Sequence, residues 1–422
     1  MHLALAIQHY ATPGCSATAR HYRLIERWAE RHRVTVVTSS AWRSTWQDHS
    51  TPVAPPGVTL VEVDVPYSNA MIPAERIRAF GQFSMLALRE LLRLPRPDLM
   101  LGSSTPLSVP ATVAAAAKMR RVPWVMEVRD LWPLFPIEMG AVRSRTYQKA
   151  LVGLEQRLYR SADHVITLSP DMTAHVVQSG LDTERVTTSF NGTDLVEAQA
   201  ATDAEAHALR HAYDLPSGPI VLYAGTFGRA NNLPLLIRIA EYLDAHVPES
   251  ALVCLGNGYG RPYLDAAADR LPSLRVIGPR PRTEIFNWFR LADLSVVAFN
   301  DLPVLGTNSP AKLFDSIASG TPVVVVNDGW MRTLVETEGC GFFTSSAAPN
   351  AVAAEVVRLL RAPEERKRAR DKGLALVAER PDVFDRRIIA DRYEALFEQL
   401  VAGRSTKVTT RPRLDALATS SA

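Results

Sequence analysis

The feature that most constrains the fold of this chain is an alternation between short apolar runs and segments of helical periodicity. Most of the runs are apolar throughout, as strands are when helices cover both faces of their sheet. This alternation predicts a parallel α/β architecture. The runs predicted as strands are 3–7, 34–38, 58–63, 98–102, 124–128, 165–168 and 186–189 in the first half of the chain, and 220–224, 252–255, 275–277, 294–298, 322–326 and 341–344 in the second.

The alternation of apolar runs and helical segments is interrupted between the two series of predicted strands. Residues 202–218 are charged and helix-prone at first and end in the turn-forming sequence LPSGP. A chain of 422 residues is long enough for two domains. We therefore predict two Rossmann-like, doubly wound parallel-sheet domains that face a cleft. The predicted bounds are 1–194 and 218–380 for the domains, 195–217 for a linker, 381–402 for a helix that could cross back to the first domain, and 403–422 for a disordered tail.

The composition excludes several classes of protein. Forty-seven basic and 44 acidic side chains leave a net charge of +3, which gives no support to a nucleic-acid partner. Cys15, Cys254 and Cys340 form no CxxC pair, so they indicate neither a disulfide framework nor a zinc site. No run approaches the roughly 20 apolar residues of a membrane span, and the first ten residues are typical of a strand rather than of a secretory signal. We expect a cytoplasmic protein.

Loops that follow the carboxyl ends of strands are where such sheets bind ligands, and two loops of the first half carry candidate residues. Gly14 lies in a small-residue turn that opens a helix, where backbone amides favour anions; a plain turn explains it equally well. After the fifth predicted strand, the sequence EVRDLWP places Arg129 beside Asp130. The two side chains either line the cleft or form a structural ion pair.

Loops of the second half have the composition of a nucleotide site. Glycines and small polar residues follow consecutive strands in the sequences TFGRANN and NGYG, where backbone donors can meet a phosphate or a base. Each loop alone is a common α/β turn, and the two together favour a nucleotide-like ligand. The contacts predicted from these loops and the next one are Thr226, Arg229, Gly256, Asn257 and Arg280.

The most informative stretch runs from 304 to 326, VLGTNSPAKLFDSIASGTPVVVV. Asn308 and Ser309 predict an N-cap, with Pro310 in the first turn. Lys312 and Asp315 follow three residues apart on one helix face. The pattern predicts a phosphate site in which the helix start and Lys312 supply positive charge and Asp315 accepts hydroxyl groups. A surface ion pair on a capped helix is the alternative.

The order and the intervals of these motifs are similar to those of a known family. Besides EVRDLWP and the 304–326 block, the segments concerned are VPYSNAM, SSTPLS, SADHVITLSPDM with SFNGTDL, and YAGTFG. Over about residues 1–400 the chain resembles the family 4 retaining glycosyltransferases of the GT-B fold. Its motifs resemble the branch that assembles bacterial surface polysaccharides, such as aminofucose transferases of O-antigen and colanic acid synthesis. The resemblance implies an N-terminal acceptor domain and a C-terminal donor domain.

For the chemistry, the resemblance implies transfer of a sugar from a nucleotide diphosphate donor, most often UDP, without a metal or another cofactor. The absence of a DxD triplet agrees with this. The family's acidic pair, E(x7)E, falls on Thr307 and Asp315, which implies that Asp315 meets the ribose and that Thr307 replaces the acid near the donor sugar. The family's diphosphate-clamping residues are absent, so Arg229 or Lys312 would supply the positive charge.

For the other half of the site, Arg129 takes the position of the family's cleft histidine and Gly14 that of its glycine loop. The resemblance therefore implies Arg129, Asp130 and Lys312 as catalytic residues, with Asn308 and Ser309 among the donor contacts. It also implies a polyprenyl-linked saccharide as acceptor.

Residues 71–97 are basic and amphipathic, which favours a peripheral contact with an anionic membrane; an ordinary helix over the first sheet is the alternative. A non-catalytic nucleotide-sugar binder and a nucleotide-sugar 2-epimerase are the alternatives to a transferase.

Overall fold

A computed structural model describes residues 1–68 and 71–403, without the side chain of Pro73. These residues form two units. Of the described residues, the first unit contains Met1–Phe190, Thr307–Ser309 and 386–403; the second contains Asn191–Gly306 and Pro310–Asp385.

The first unit is built on a seven-stranded sheet in which every pairing is parallel. Its strands are β1 (His2–Ala6), β2 (Arg33–Ser39), β3 (Val58–Val63), β4 (Leu99–Ser103), β5 (Trp124–Val128), β6 (His164–Thr167) and β7 (Val186–Thr188). Their order is β3-β2-β1-β4-β5-β6-β7. The central strands are buried along their whole length, which is why their sequences are apolar without alternation.

The helices of the first unit include one from the end of the chain. They are α1 (Arg20–Ala29), α2 (Pro73–Arg93), α3 (Ser108–Arg120), α4 (Leu134–Glu138), α5 (Arg145–Ser161), α6 (Pro170–Gln178) and α18 (Arg386–Val401), with 3₁₀ turns at Ser40–Thr45 and Thr183–Arg185. Helix α18 packs against α1 through Tyr393 and Phe397, whose rings lie 5.8 and 5.3 Å from that of Trp28. The Trp28 indole also donates a 2.9 Å hydrogen bond to the Ala390 carbonyl.

The second unit is built on a six-stranded parallel sheet. Its strands are β8 (Ile220–Ala224), β9 (Ala251–Leu255), β10 (Leu274–Ile277), β11 (Leu294–Val297), β12 (Val323–Val325) and β13 (Gly341–Phe343), in the order β10-β9-β8-β11-β12-β13. Its helices are α7 (Leu195–Ala200), α8 (Asp203–Ala212), α9 (Leu233–His246), α10 (Arg261–Ala268), α11 (Arg282–Leu291), α12 (Pro303–Gly306), α13 (Ala311–Ala318), α14 (Trp330–Glu338), α15 (Pro349–Leu360), α16 (Pro363–Glu379) and α17 (Pro381–Phe384).

All thirteen predicted strands are present, and each end lies within one residue of its predicted position. The segment predicted as a linker, 195–217, contains helices α7 and α8 of the second unit, and Thr202 and Glu205 cap the start of α8. The predicted tail lies, beyond Gly403, outside the described residues. Among the helices that the structure describes, none combines the length and the apolar character that a membrane crossing requires.

One predicted boundary is wrong. The helix that carries Lys312 and Asp315 begins at Ala311, and Pro310 occupies its N-cap position. Asn308 and Ser309 therefore precede the helix rather than cap it, and they group with the first unit. A proline at the boundary explains the shift, because its ring disfavours helical geometry in the residue before it.

Candidate functional site

Lys312, on α13 of the second unit, is a half-buried cation that lies close to two aromatic rings. Its ammonium nitrogen lies 4.0 Å from the centre of the Tyr223 ring and 5.8 Å from that of Phe299. No carboxylate of the described residues lies within 4.0 Å of this half-buried side chain. Burial without a counter-ion lowers the pKa of Lys312 to about 7. The charged form of the Lys312 side chain is therefore less stable here than that of a lysine in water.

The Lys312 ammonium rests against a glycine loop that follows β8. A Cβ atom on Gly225 would come within 2.7 Å of the Lys312 Nζ, and Gly225 has a φ of +153° that other residues rarely adopt. The loop after β9 lies against the loop that contains Gly225, because a Cβ on Gly256 would come within 1.9 Å of the Gly225 carbonyl oxygen. The two loops therefore leave bare backbone beside a cation, which is the arrangement that phosphate groups favour.

Thr226 and Asn257 complete this pair of loops. Thr226 is exposed, and its carbonyl accepts a 2.9 Å hydrogen bond from the buried Tyr223 hydroxyl. The Asn257 carbonyl accepts a 2.9 Å hydrogen bond from the Phe227 amide, which joins the loops after β8 and β9. The structure thus brings together four predicted elements of the donor site: Lys312, Thr226, Gly256 and Asn257.

Arg229 lies on the exposed side of the same loops. Its guanidinium stacks 4.4 Å from the centre of the Tyr259 ring, which is 68% exposed. Sequence reasoning missed Tyr259, although it stands in the quoted NGYG segment. Arg229 is exposed, whereas Lys312 is half-buried beside bare backbone; which of the two meets a diphosphate stays open.

Asp315 lies in a different environment from Lys312, although the two residues share a helix. It is 2% exposed. Its Oδ1 accepts a 2.6 Å hydrogen bond from Thr193, and its two oxygens accept hydrogen bonds from both terminal nitrogens of Arg282. The predicted ribose contact stays a prediction. In this structure both oxygens of the Asp315 carboxylate accept hydrogen bonds from Arg282. The alternative of an Asp315–Lys312 surface pair is wrong.

Arg282, which sequence reasoning also missed, joins two carboxylates. Its Nε donates a 3.0 Å hydrogen bond to Asp194, and its terminal nitrogens pair with Asp315. Burial alone would lower the pKa of Arg282, but the Asp315 and Asp194 charges outweigh burial and raise it. The signal in the sequence was an arginine at the start of an amphipathic helix. If such a residue is buried, it needs an ion-pair partner. The cluster fixes α11, α13 and the start of α7 to one another.

The remaining predicted donor contacts have other surroundings. Arg280 lies 5.1 Å from the Tyr213 ring centre and 3.9 Å from a Glu284 oxygen. Thr307, which groups with the first unit, accepts a 2.6 Å hydrogen bond from Ser169 at its carbonyl oxygen. Asn308 and Ser309 are buried. Their donor contacts stay predictions.

Gly14 is buried under the protein's own loop. A Cβ at this position would lie 2.3 Å from the Asp48 carbonyl oxygen, and the Gly14 carbonyl accepts 3.0 Å hydrogen bonds from the Gln47 and Asp48 amides. The missing side chain is therefore required by local packing. The predicted donor contact of Gly14 stays a prediction, and this glycine leaves no open backbone of the kind seen at Gly225.

In the first unit, Glu127 lies at the centre of a buried hydrogen-bond network. Its Oε1 accepts from Tyr393 at 2.9 Å and Arg20 at 3.3 Å, and its Oε2 accepts from Ser103 and His21, both at 2.6 Å. Burial opposes ionisation, but His21 and Arg20 outweigh it and hold the pKa of Glu127 well below its usual range. Glu127 is therefore an ionised structural anchor for α1, β4, β5 and α18.

Arg129 and Asp130 follow Glu127, and neither joins its network. No carboxylate of the described residues lies within 4.0 Å of the Arg129 guanidinium, whose Nε is buried without a hydrogen-bond partner. Arg129 thus forms no close ion pair with Asp130 or Glu127, although its charge acts on both carboxyl groups and favours their ionised forms by lowering the pKa of each. Burial raises the pKa of Asp130, and the Arg129 charge offsets part of this. Burial and the Arg129 charge also lower the pKa of His9 to about 4.

A possible metal cluster lies elsewhere. His32, Glu394 and Glu398 are close enough to share an ion, but His32 already bonds Glu394 at 2.8 Å and Arg31 also pairs with Glu394. These residues join α1 to α18 and lie on elements that carry none of the predicted site residues. Independence of a metal stays a prediction.

Comparison with family models identifies domains in both halves of the chain. Residues 17–192 match the glycosyl transferase 4-like domain, and residues 218–362 match the glycosyl transferases group 1 family. The prediction of a glycosyltransferase is confirmed at the level of these domains. The predicted surface-polysaccharide branch stays a prediction.

The curated relatives match part of the chain. The D-inositol 3-phosphate glycosyltransferase of Thermobispora bispora is 31% identical over 194 residues, which are 43% of this chain and 44% of that protein. The D-inositol 3-phosphate glycosyltransferase 2 of Catenulispora acidiphila is 27% identical over 277 residues, 60% of this chain and 62% of that protein. The chain thus spans less than two thirds of the length of these relatives.

Solved structures share the fold over nearly the whole chain. The Anabaena protein HepE, solved in complex with UDP-glucose, gives a TM-score of 0.69 at 16% identity over 94% of this chain and all of that one. Sucrose-phosphate synthase from Thermosynechococcus elongatus gives 0.73 at 18% identity over 95% and 99%. Together with the two parallel sheets, this likeness confirms the predicted α/β fold of the GT-B class.

Proposed function

Because this chain carries a glycosyl transferase 4-like domain followed by a glycosyl transferases group 1 domain, we propose that it transfers a hexose or N-acetylated hexose from a UDP-sugar to an acceptor hydroxyl. The observation that carries the proposal is the half-buried Lys312 ammonium, which meets Gly225 and two aromatic rings but none of the carboxylates in the part of the chain that the structure describes. The donor diphosphate would occupy the bare backbone beside Lys312 and neutralise it.

The proposed reaction retains the anomeric configuration. The bond between the sugar's anomeric carbon and the β-phosphate oxygen breaks, and the acceptor oxygen forms its bond to that carbon on the same face. The β-phosphate oxygen takes the proton of the acceptor hydroxyl, so the products are UDP and the new glycoside. Lys312 stabilises the negative charge that grows on the leaving diphosphate, which is the largest contribution that such a site makes.

We propose that Asp315 supports this chemistry through its ion pair with Arg282 rather than through contact with the reacting groups. Its ion pair with Arg282 fixes α13, and thereby holds Lys312 at the glycine loop. A ribose contact requires the donor to reach a carboxylate that is 2% exposed. We therefore propose that Asp315 is in the first place a positioning residue.

The proposed acceptor is a polyprenyl-linked saccharide of surface polysaccharide synthesis, as in O-antigen or lipopolysaccharide assembly. The order of the sequence motifs supports it. The D-inositol 3-phosphate glycosyltransferases among the relatives support an inositol phosphate as the alternative. Transfer of labelled sugar to a lipid extract, compared with transfer to inositol 3-phosphate, distinguishes the two acceptors.

Peripheral contact with the inner face of the plasma membrane is part of the proposal. Helix α2 buries Phe83 and Leu91, so the predicted packing on the first sheet occupies one face. Its outer face exposes Ile77 (60%) and Met85 (68%), and its exposed arginines are Arg78, Arg89 and Arg93. An apolar and basic outer face suits an anionic leaflet. Replacement of these arginines by glutamate should abolish binding to anionic vesicles; undiminished binding would remove the membrane contact from the proposal.

Thermal unfolding with a panel of UDP- and GDP-sugars tests the donor directly. A donor present well above its dissociation constant raises the melting temperature of the protein that binds it. We expect one UDP-sugar to raise it and to release UDP in the presence of a membrane lipid fraction. No shift with any nucleotide sugar would contradict the proposal.

Two alternatives give different products. Thr307 stands where the resembling family has an acid, which favours a non-catalytic nucleotide-sugar binder. Such a protein would show the thermal shift but no transfer of labelled sugar. A 2-epimerase would change the donor sugar without any acceptor, and product analysis in the absence of an acceptor detects it.

A further inference from the structure

The ring of Tyr223 lies directly beside the Lys312 ammonium. The ammonium nitrogen is 4.0 Å from the centre of this ring and 5.8 Å from the centre of the Phe299 ring. Both distances fall within the roughly 6 Å over which an aromatic face attracts a cation, and the attraction is greater at the shorter distance. Tyr223 is therefore the stronger of the two aromatic contacts that favour the charged form of Lys312.

The Tyr223 ring has a fixed orientation. It is fully buried, it stacks on the Phe227 ring at 6.2 Å between centres, and its hydroxyl donates a 2.9 Å hydrogen bond to the Thr226 carbonyl. A Cβ on Gly225 would lie 2.7 Å from the Lys312 Nζ and 3.7 Å from the Tyr223 hydroxyl oxygen. The ring and the ammonium therefore converge on the same bare glycine.

Packing alone does not require a tyrosine at this position. Strand β8 has the sequence IVLYA and is otherwise aliphatic. A buried tyrosine brings a hydroxyl group that must find a hydrogen-bond partner, whereas an aliphatic side chain brings no such need. The contact with Lys312 gives the ring a reason that the core of the sheet does not supply.

The titratable groups that face Lys312 contribute little to its charge at neutral pH. Cys254 of β9 faces the ammonium, and burial raises the pKa of its thiol to about 12, so it is neutral at pH 7. Burial also raises the pKa of the Tyr223 hydroxyl above its usual value. Asp315, on the same helix as Lys312, is paired with Arg282. The aromatic faces thus oppose the effect of burial on the Lys312 ammonium.

We propose that Tyr223 is a positioning residue of the donor site, whose ring holds the Lys312 ammonium beside Gly225 and keeps it charged for the donor diphosphate. Phe299 makes a smaller contribution of the same kind. The inference rests on the proposed function and adds a residue to its donor site. Tyr223 acts through Lys312 and needs no contact with the donor.

The charge of Lys312 can be measured in the full chain without any ligand. The chain contains six lysines, so protein labelled with ¹³C at the lysine ε carbon gives few NMR signals, and the signal that Lys312→Arg lacks belongs to Lys312. Tyr223→Leu and Tyr223→Met remove the ring and fill its space differently, Tyr223→Phe keeps it, and Phe299→Leu removes the second ring. Tyr242→Leu is the matched control, because Tyr242 of α9 contacts another cation of this unit, Arg238, at 5.1 Å.

We expect the Lys312 signal of the wild type to titrate near pH 7. Tyr223→Leu and Tyr223→Met should each lower the pKa of Lys312 by about one unit, the effect of a cation–π contact at a buried site. Phe299→Leu should lower it less, because the Phe299 ring is farther away, and Tyr223→Phe and Tyr242→Leu should leave it unchanged. UDP-glucose should then bind to Tyr223→Leu about tenfold more weakly than to the wild type at pH 8, and less than threefold more weakly at pH 5.5.

Variants at Lys312 separate this inference from the proposed function. An arginine stays charged without the ring, so Lys312→Arg combined with Tyr223→Leu should bind UDP-glucose equally at pH 5.5 and pH 8. If the pKa of Lys312 is the same in the wild type and in the variants without the ring, the inference is overturned and the donor site stands. If that pKa falls but Lys312→Met binds UDP-glucose as tightly as the wild type, the proposed donor site fails, and the role of Tyr223 in it fails as well.

Discussion

Among the described residues, each unit contains a buried carboxylate that accepts hydrogen bonds from the protein's own side chains and a half-buried cation that has no carboxylate within 4.0 Å. Glu127 in the first unit accepts hydrogen bonds from four side chains, and Asp315 in the second from Arg282 and Thr193. Arg129 and Lys312 have no such partner among the described residues. A buried charge that the protein satisfies itself belongs to the architecture, whereas one that it leaves unsatisfied is available to a ligand.

These two cations differ in their surroundings. Arg129 lies beside Asp130 and His9, and an arginine stays charged at any ordinary pH. Lys312 lies between aromatic rings and bare glycine backbone, and burial brings its pKa to about 7. The comparison teaches that Arg129 should keep its charge throughout the ordinary pH range, and that the proposed donor site should be sensitive to pH through Lys312.

The largest expected effect concerns a compensated carboxylate. Asp315→Asn removes one of the two charges that neutralise buried Arg282 and leaves only Asp194, so we expect the free energy of unfolding to fall by about 3 to 5 kcal/mol, the range for breaking a buried ion pair. Denaturant unfolding measures it, with Asp301→Asn, at an exposed position, as the matched control. If stability is unchanged and only the KM for donor rises, Asp315 contacts the ribose, as the resemblance implied.

Lys312→Met should lower the rate of transfer without lowering stability, which is the opposite of the effect expected for Asp315→Asn. Loss of the cation should reduce the rate of transfer by about 10²- to 10³-fold, as removal of one charge-stabilising group does in other enzymes. Stability of the empty protein should not fall, because methionine fills the apolar surroundings without an uncompensated charge. Steady-state kinetics and thermal unfolding together check this.

The matched control for that variant is Lys367→Met, since Lys367 is exposed on α16 of the same unit. Equal activity of the two variants would contradict the role of Lys312 and would break the comparison between compensated and uncompensated charges.

The sequence predicts the strands well and the buried ion pairs poorly. Each strand is encoded by three to seven adjacent residues, so the apolar runs located all thirteen. Arg282 and Asp315 are 33 residues apart, and Glu127 and Tyr393 are 266 apart. No local period links such pairs. The same limit applied to Lys312, which the 304–326 motif predicted as a cation of a phosphate site but whose contacts with Tyr223, Gly225 and Phe299 depend on how distant segments of the chain pack.

The next effect is the pH dependence of donor binding. Below pH 7 Lys312 is charged in the empty protein, and as pH rises above about 7 it becomes neutral. Donor binding then requires uptake of a proton, so the affinity for UDP-glucose should fall by up to about tenfold per pH unit above 7. UDP-glucose suits this measurement because its diphosphate does not titrate near neutral pH. Calorimetry in buffers of different ionisation enthalpy measures the proton uptake.

Lys312→Arg is the control for this pH dependence. An arginine keeps its charge throughout the range, so its affinity for UDP-glucose should be flat between pH 7 and 9. A wild-type profile as flat as that of the arginine variant would mean that Lys312 does not face the diphosphate.

The smallest expected effect tests how the C-terminal helix supports the first unit. The Tyr393 hydroxyl donates to Glu127 and accepts from Arg20 at 2.8 Å, and Tyr393→Phe removes both bonds while keeping the ring against Trp28. Glu127 retains its other donors, so we expect a loss of about 0.5 to 1.5 kcal/mol in the free energy of unfolding. UDP binding should be unchanged. A loss as large as that of Asp315→Asn would show that the Glu127 network depends on α18 for its compensation, and the two buried carboxylates would then differ in kind.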